Sequence, residues 1–242
     1  MPLTLPLRVY CNQHTTRRLR YDLNMPLSAT ERARRIKVIL FDVDGVLTNG
    51  QIWLFPAPAA NNPATAGHID ALEAKGGYAI ASQNTVEAKG FSAHDGASIS
   101  MARLGGLKCG VITKRISETV RLRARDLRLE YVYMGAAHKM QPVKEIMAKE
   151  NITLDEICYV GDDIIDLPVM RVCGLAIAVA NAREIVKQTA HYITPHSGGD
   201  GAGRDAVEFI LEAKGLLAQV IETYIDEHSE AAAAADIGQG GM

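Results

Sequence analysis

From residue 36 onward the chain repeats one pattern, and that pattern leaves it few folds. Short apolar runs at 36–41 (IKVILF), Lys108–Ile112, Tyr131–Tyr133, 157–160 and 175–179 are unbroken by proline and carry β-branched residues. Such runs read as strands buried on both faces, as in a parallel sheet. Amphipathic stretches lie among them near 96–105, 115–128, 140–150, 163–173 and 183–189. Strands alternating with helices of about ten residues predict an α/β domain with a doubly wound, mainly parallel sheet. Residues 203–227 add one or two terminal helices, and 229–242 (SEAAAAADIGQGGM) read as a low-complexity tail with no core to join.

One segment interrupts the alternation. Residues 51–54 (QIWL) and 86–91 (VEAKGF) resemble the two strands of a hairpin, yet the stretch between them is long and rich in Ala, Pro, Asn and Gly. An expanded tip, within a hairpin at about 50–92, is the expectation. The front of the chain stands apart by charge. Residues 1–37 carry eight Lys or Arg against two acids, a net of +6, which leaves −8 for the rest of a chain whose total is −2. The expected organisation is a basic, disordered leader at 1–35, with Met25 a candidate working start, one α/β domain at 36–228, and a disordered tail at 229–242.

The small net charge gives no overall attraction to nucleic acid or to an anionic membrane. No stretch approaches the ~18 apolar residues of a membrane span. Residues 1–10 contain Pro2 and Pro6 and no basic start before an apolar run, so they lack the secretory pattern. Cys11, Cys109, Cys158 and Cys173 show neither metal-ligand nor CxxC spacing. Those in apolar runs are expected to be reduced thiols acting as small hydrophobes, in keeping with a cytoplasmic chain.

The chemistry concentrates at strand ends. Asp42-Val43-Asp44-Gly45-Val46-Leu47-Thr48 follows the first apolar run directly, and in an open α/β sheet ligands bind beyond the carboxyl ends of the strands. Gly45 lets the chain turn away sharply. Taken alone, the two acids read equally well as a turn with a helix cap. Gly161-Asp162-Asp163-Ile164-Ile165-Asp166 ends another run and opens a helix, which Asp162 and Asp163 can cap. Five carboxylates at the same edge of two strands exceed what capping needs, and they repel one another unless a cation joins them. A hard divalent ion with oxygen ligands meets that need, and together the acids suggest a magnesium site holding a phosphate. Thr113 follows the run Lys108–Ile112 and can offer its hydroxyl and amide to phosphate oxygens. Lys139, ahead of the next helix, can neutralise developing negative charge.

In this order the four parts resemble the haloacid dehalogenase superfamily of phosphatases: DVDGVLT, Thr113, Lys139 and GDDIID. Longer stretches narrow the resemblance. DVDGVLTNGQIWL, KGFSAHDGASISMARLGGLKCGVITKR, YMGAAHKM, YVGDDIIDLPVM and YITPHSGGDGAGRDAVEFIL are similar to the 3-deoxy-D-manno-octulosonate 8-phosphate phosphatase family. That resemblance implies a cytoplasmic, magnesium-dependent phosphomonoesterase that makes a precursor of the lipopolysaccharide inner core. It implies a β-hairpin in place of a large cap domain, and a homotetramer whose hairpins close one another's sites. Asp42 would be the nucleophile that becomes an aspartyl phosphate, and Asp44 the group that protonates the leaving oxygen and then activates water. Asp42 and Asp162, with the Asp44 carbonyl, would hold Mg²⁺. Asp163 and Asp166 would stand behind them and orient the ligands and Lys139. Thr113, Lys139, Arg115 and Gly45 would surround the substrate phosphate. Other readings are the same chemistry on another small phosphorylated metabolite, and a catalytically silent oligomerisation module of the same fold.

The departures from the family pattern fall on residues that would read the substrate. Thr113-Lys114-Arg115 stands where the family has Thr-Gly-Arg, His94 where it has Arg before Asp-Gly, and Asp200 where it has the arginine of GGRGA. Arg is the planar bidentate partner of phosphate and carboxylate, which His and Asp do not replace. Arg204, one turn on, is the remaining candidate for that part.

Overall fold

A computed structural model describes residues 27–56, 78–79, 85–226 and 228–234. Its strands are β1 (Val38–Phe41), β2 (Trp53–Pro56), β3 (Tyr78–Ala79), β4 (Thr85–Ala88), β5 (Lys108–Ile112), β6 (Arg115–Ile116), β7 (Tyr131–Tyr133), β8 (Ile157–Gly161), β9 (Leu175–Ala178) and β10 (Tyr192–Ile193). The helices are α1 (Ala29–Ala33), α2 (Ala93–Leu104), α3 (Glu118–Asp126), α4 (Met140–Glu150), α5 (Leu167–Met170), α6 (Glu184–Thr189), α7 (Ala202–Ala213), α8 (Leu217–Ile225) and α9 (Glu230–Ala234). Among them no helix is long and apolar enough to cross a membrane.

Six parallel strands make the main sheet, in the order β10-β9-β8-β1-β5-β7. Every residue of β1, β8 and β9 is buried, as strands covered on both faces must be. From β1 the chain builds outward through β5 and β7, then crosses back to lay β8, β9 and β10 on the other side. This reversal beside β1 is the switch point where such sheets open a crevice. Thus the fold class and five strands match the sequence expectation. The sixth, β10, is two residues long and partly exposed, too short to show a period.

The hairpin also forms: β2 pairs antiparallel with β4, from Trp53 opposite Ala88 to Pro56 opposite Thr85. Trp53, Leu54 and Phe55 each expose about half their surface (55%, 51% and 51%). Of the long tip, only β3 falls within the described residues, and it pairs in parallel with β6, Tyr78 beside Arg115.

At the start of the domain the structure departs from the expected boundary. Residues 1–26 lie outside the described residues, but α1 falls inside the stretch read as a leader. Ser28 caps it and Glu31 reaches back to the Ser28 amide (2.8 Å), a reciprocal capping box. The helix packs on α7 with Ala33 buried, while Arg32 donates to the Gly174 carbonyl (2.8 Å) and Arg34 to that of Ala213 (3.0 Å). Glu230–Ala234 is likewise helical, with Ala232 buried, because an alanine run has high helix propensity and a small face that fits a shallow surface. Residues 235–242 are outside the described residues. Cys109, Cys158 and Cys173 are free and buried, and burial pushes the Cys173 thiol up to about 12.

Candidate active site

Three adjacent strands end at one level. Phe41 lies opposite Val111 on one side and Val160 on the other, so the residues that follow, Asp42, Thr113 and Gly161-Asp162, emerge together at the carboxyl edge. The Asp42 amide donates to the Val160 carbonyl (3.0 Å), which carries the ladder one step past β1. Gly45 then turns back with φ +98°, and a Cβ there would lie 2.2 Å from Asp162 Oδ2. The turn therefore needs glycine twice over, for its backbone angle and for the carboxylate packed on it.

Lys139 joins the two acidic motifs. It is buried at the start of α4, and its Nζ lies 2.8 Å from Asp42 Oδ1 and 2.6 Å from Asp166 Oδ1. Burial alone would lower its pKa, but the two carboxylates outweigh burial and raise it, keeping the ammonium charged. Asp166 also accepts from the Tyr159 hydroxyl (2.9 Å) and from the amides of Asp162 (3.0 Å) and Asp163 (3.2 Å). Both its oxygens are thus committed to protein donors. The Asp163 side chain is exposed and caps Ile164 (2.7 Å), so the capping alternative is realised there, while its backbone serves Asp166.

Asp42, Asp162 and Asp166 each bring a carboxylate oxygen within 4.8 Å of the other two. Asp162 Oδ1 is buried without a hydrogen-bond partner. Its carboxyl is pushed up to about 8, by burial first and then by the charges of Asp42, Asp166 and Asp163. Burial likewise pushes Asp42 up to about 6, against the pull of Lys139. Acids held this way suit a hard cation, and with Asp166 engaged elsewhere, the oxygens that fit one belong to Asp42 and Asp162.

A cavity of about 280 Å³ opens over this edge, lined by Asp42, Asp44, Thr113, Lys114, Arg115 and Asp162, with Ile52 from the hairpin base and Ile165. Thr113 is buried and its hydroxyl accepts from the Arg115 amide (3.2 Å). Its own amide donates to the Tyr133 carbonyl (2.9 Å), so of the two donors expected of Thr113 only the hydroxyl is left for a phosphate. Asp44 contacts Lys89, and Arg115 Nε stands 3.5 Å from its other oxygen. Arg204 Nε is paired with Glu208 on the same helix (2.7 Å). His94 and His196 both flank Gly201, with His94 Cβ and His196 Cγ each 4.0 Å from the point a Cβ there would occupy.

Besides Tyr159, three contributors escaped the sequence reading. Asn181 donates to the Gly45 carbonyl (3.1 Å) and accepts from the Gly198 amide (2.6 Å), which ties the first motif to the glycine-rich loop before α7. Asp95, buried in α2, accepts from the Arg204 amide (3.0 Å) and so caps α7 from a neighbouring helix. Lys89 follows β4 and has no exposed side-chain surface. Its one signal was Glu87 and Lys89 two residues apart, opposite charges on one face of a strand.

A family model described as haloacid dehalogenase-like hydrolase matches residues 117–204. The 3-deoxy-D-manno-octulosonate 8-phosphate phosphatase KdsC of Escherichia coli strain K12 is 31% identical over 194 residues, 79% of this chain and 89% of that protein. The namesake from Haemophilus influenzae is 31% identical over 76% of this chain and 88% of its own. Among solved structures, the Moraxella catarrhalis 3-deoxy-D-manno-octulosonate 8-phosphate phosphatase, in complex with a magnesium ion, a phosphate ion and KDO, is 29% identical. It superposes with a TM-score of 0.67 over 81% of this chain and 97% of that one. A probable yrbi family phosphatase from Pseudomonas syringae is 32% identical with a TM-score of 0.68, over 83% and 98% of the two chains.

Proposed function

The chain belongs to the haloacid dehalogenase-like hydrolases, in the family of the 3-deoxy-D-manno-octulosonate 8-phosphate phosphatases, and is a phosphoric monoester hydrolase; from that premise we propose that it hydrolyses this eight-carbon sugar-acid phosphate with Mg²⁺, through an aspartyl phosphate. The observation that carries the reading is the junction of Asp42, Lys139, Asp166 and Asp162 at the edge of β1 and β8.

Asp42 is the nucleophile. Lys139 occupies its Oδ1, which leaves the other oxygen to meet phosphorus, and the same ammonium offsets charge gathering on the phosphate. Magnesium, held by Asp42, Asp162 and the Asp44 carbonyl, would supply the charge that lets a dianionic ester approach a carboxylate. Thr113 directs its hydroxyl at a phosphate oxygen, and Arg115 and the backbone at Gly45 complete the cradle. Asp44, in the lining of the cavity, hands a proton to the departing sugar oxygen and then draws one from the water that cleaves the acyl phosphate. Asp166 takes no part in bond making. By accepting from Lys139, Tyr159 and two amides, it fixes Lys139 and the turn that bears Asp162.

The exposed Trp53, Leu54 and Phe55 support a homotetramer in which hairpins from neighbouring copies cover the cavities, in the cytoplasm where the substrate would arise. The test is phosphate release from 3-deoxy-D-manno-octulosonate 8-phosphate, with Mg²⁺ and with EDTA, beside a panel of alkyl sugar phosphates and Asp42→Asn. The expected result is magnesium-dependent release, strongest for the octulosonate, with a loss of more than ~10³-fold in Asp42→Asn. Turnover of the panel without that preference overturns the substrate and keeps the chemistry, with His94 and Asp200 as the physical reason. No turnover of any ester revives the silent module.

A further inference from the structure

Lys89 is the most deeply buried charge among the described residues of the hairpin. Its side chain has no exposed surface, and its ammonium contacts Asp44 and lies 3.9 Å from the Glu87 carboxylate. Glu87 in turn is held from α3: the Ser117 hydroxyl donates to its carboxylate, and the Thr119 hydroxyl to its carbonyl (3.0 Å). Arg115 closes the group, with Nε buried and 3.5 Å from the second Asp44 oxygen. Two cations and two anions from three parts of the chain therefore balance in one cluster, of which only Asp44 and Arg115 line the cavity.

Burying an ammonium is costly unless its partners are in place, and gluing a hairpin to a domain needs no charge, since an apolar side chain does that better. What a cation adds here is a fixed position for a carboxylate. Asp44 sits on a loop that reverses at Gly45, and a short side chain on a turn has several rotamers open to it. Lys89 contacts one of its oxygens, while Arg115 Nε stands 3.5 Å from the other without a hydrogen bond and leaves that oxygen open to a proton.

We infer that Lys89 is a positioning residue for the proton-transfer step: it fixes the Asp44 carboxylate at the leaving-group side of the cavity, and Glu87, anchored by Ser117, fixes Lys89. This rests on the reading of Asp44 as proton donor. The hairpin is then a working part of its own chain's site, whatever it does for a neighbour.

Leaving groups separate this role from a structural one. A sugar alkoxide cannot depart without a proton, whereas 4-nitrophenolate can, so general-acid catalysis worth ~10²–10⁴-fold on the first is nearly silent on the second. The experiment compares kcat/KM, which covers the steps up to departure of the leaving group and leaves out hydrolysis of the acyl phosphate common to both esters, on the best alkyl phosphate of the panel and on 4-nitrophenyl phosphate, in the magnesium-loaded protein. The variants are Lys89→Met, Lys89→Arg, Glu87→Gln and Asp44→Asn. Lys89→Met is expected to lose ~10–10²-fold in kcat/KM on the alkyl ester and under ~3-fold on the aryl ester. Lys89→Arg is expected to recover most of the loss. Glu87→Gln keeps the hydrogen bond to Ser117 and is expected to show the same selectivity in smaller measure, including where Lys89→Met does not fold. Equal losses on both esters in the Lys89 and Glu87 variants, beside a selective loss in Asp44→Asn, overturn the inference alone. Equal losses in Asp44→Asn overturn the proton-donor reading and the inference with it.

Discussion

Asp162 shows most plainly how one residue is held against its own preference. Its Oδ1 is buried without a partner, and its carboxyl is pushed up to about 8 by burial and three neighbouring acids. Such a group weakens the fold whenever it ionises without a cation. Replacing it by the isosteric amide removes the repulsion and the metal site together. Asp162→Asn is therefore expected to raise the stability of the metal-free protein by about 2 kcal/mol, roughly 4–8 °C in Tm for a chain of this size, and to abolish turnover. Thermal melts with and without MgCl₂ check both halves: the native chain gains with magnesium and the variant does not. A variant that melts lower than the native protein without metal would show that Asp162 is not repelled. The acids themselves were readable from sequence, because each directly follows an apolar run and so has its place in the sheet decided by its neighbours. Asn181 and Tyr159 were not, because nothing near them in the chain identifies their partners, and Lys89 was not, because Glu87 alone of its partners lies near it in sequence. Asn181 meets Gly45, and Tyr159 points at Asp166 from inside a strand that looks only apolar.

At the scale of elements, the loop before α7 is what keeps the first motif in shape. A Cβ on Gly198 would lie 1.8 Å from the Gly45 carbonyl oxygen, so two backbones touch there and Asn181 bridges them. Gly198→Ala must push the loops apart, at an expected cost of about 2–4 kcal/mol. The displaced turn is expected to lower kcat by at least ~10-fold, since about 1 Å of misplacement can cost ~10²-fold. Gly90→Ala is the control, with nothing within 4 Å of the added methyl and an expected change under ~0.5 kcal/mol. Denaturant melts and initial rates on the two variants decide it, and a neutral Gly198→Ala would sink the account of the loop. Elements with a clear period were legible from sequence: five strands, most helices and the hairpin base. Those set by local capping or by tertiary neighbours were less so. Ser28-x-x-Glu31 is a capping-box signature, but it is masked by the basic stretch around it. The expected helix at 163–173 resolves into a 3₁₀ turn at Ile164–Asp166 and a single α turn at Leu167–Met170, because the acids that begin it are spent on Asp166 and the turn rather than on helix propagation.

At the scale of the molecule, the hairpin stands out as surface that a lone chain has no reason to carry. Trp53, Leu54, Phe55 and Val86 are each at least 40% exposed, and successive residues of a strand point to opposite faces, so both faces of the ribbon are apolar. Paired Trp53→Asp and Phe55→Asp changes are expected to reduce the assembly to monomers in size-exclusion with light scattering, and to leave the thermal stability of the domain within about 1 kcal/mol, since exposed positions contribute little. A native chain that runs as a monomer would remove the proposed tetramer. The doubly wound sheet was legible at this scale because alternation along the chain is itself a topology, whereas how copies meet leaves no periodic trace.

The sheet order also sets a timetable for the ribosome. Val38 lies beside Lys108 on one side and Ile157 on the other, so β1, whose every side chain is buried in the finished protein, is among the earliest of the six strands to be made and must wait for both neighbours. At about 5–20 residues per second, its second flank is not even synthesised until roughly 6–24 s after the first residues of β1. The central strand of the sheet is thus the segment that newborn chains leave uncovered longest, and the one from which misassembly during translation would start.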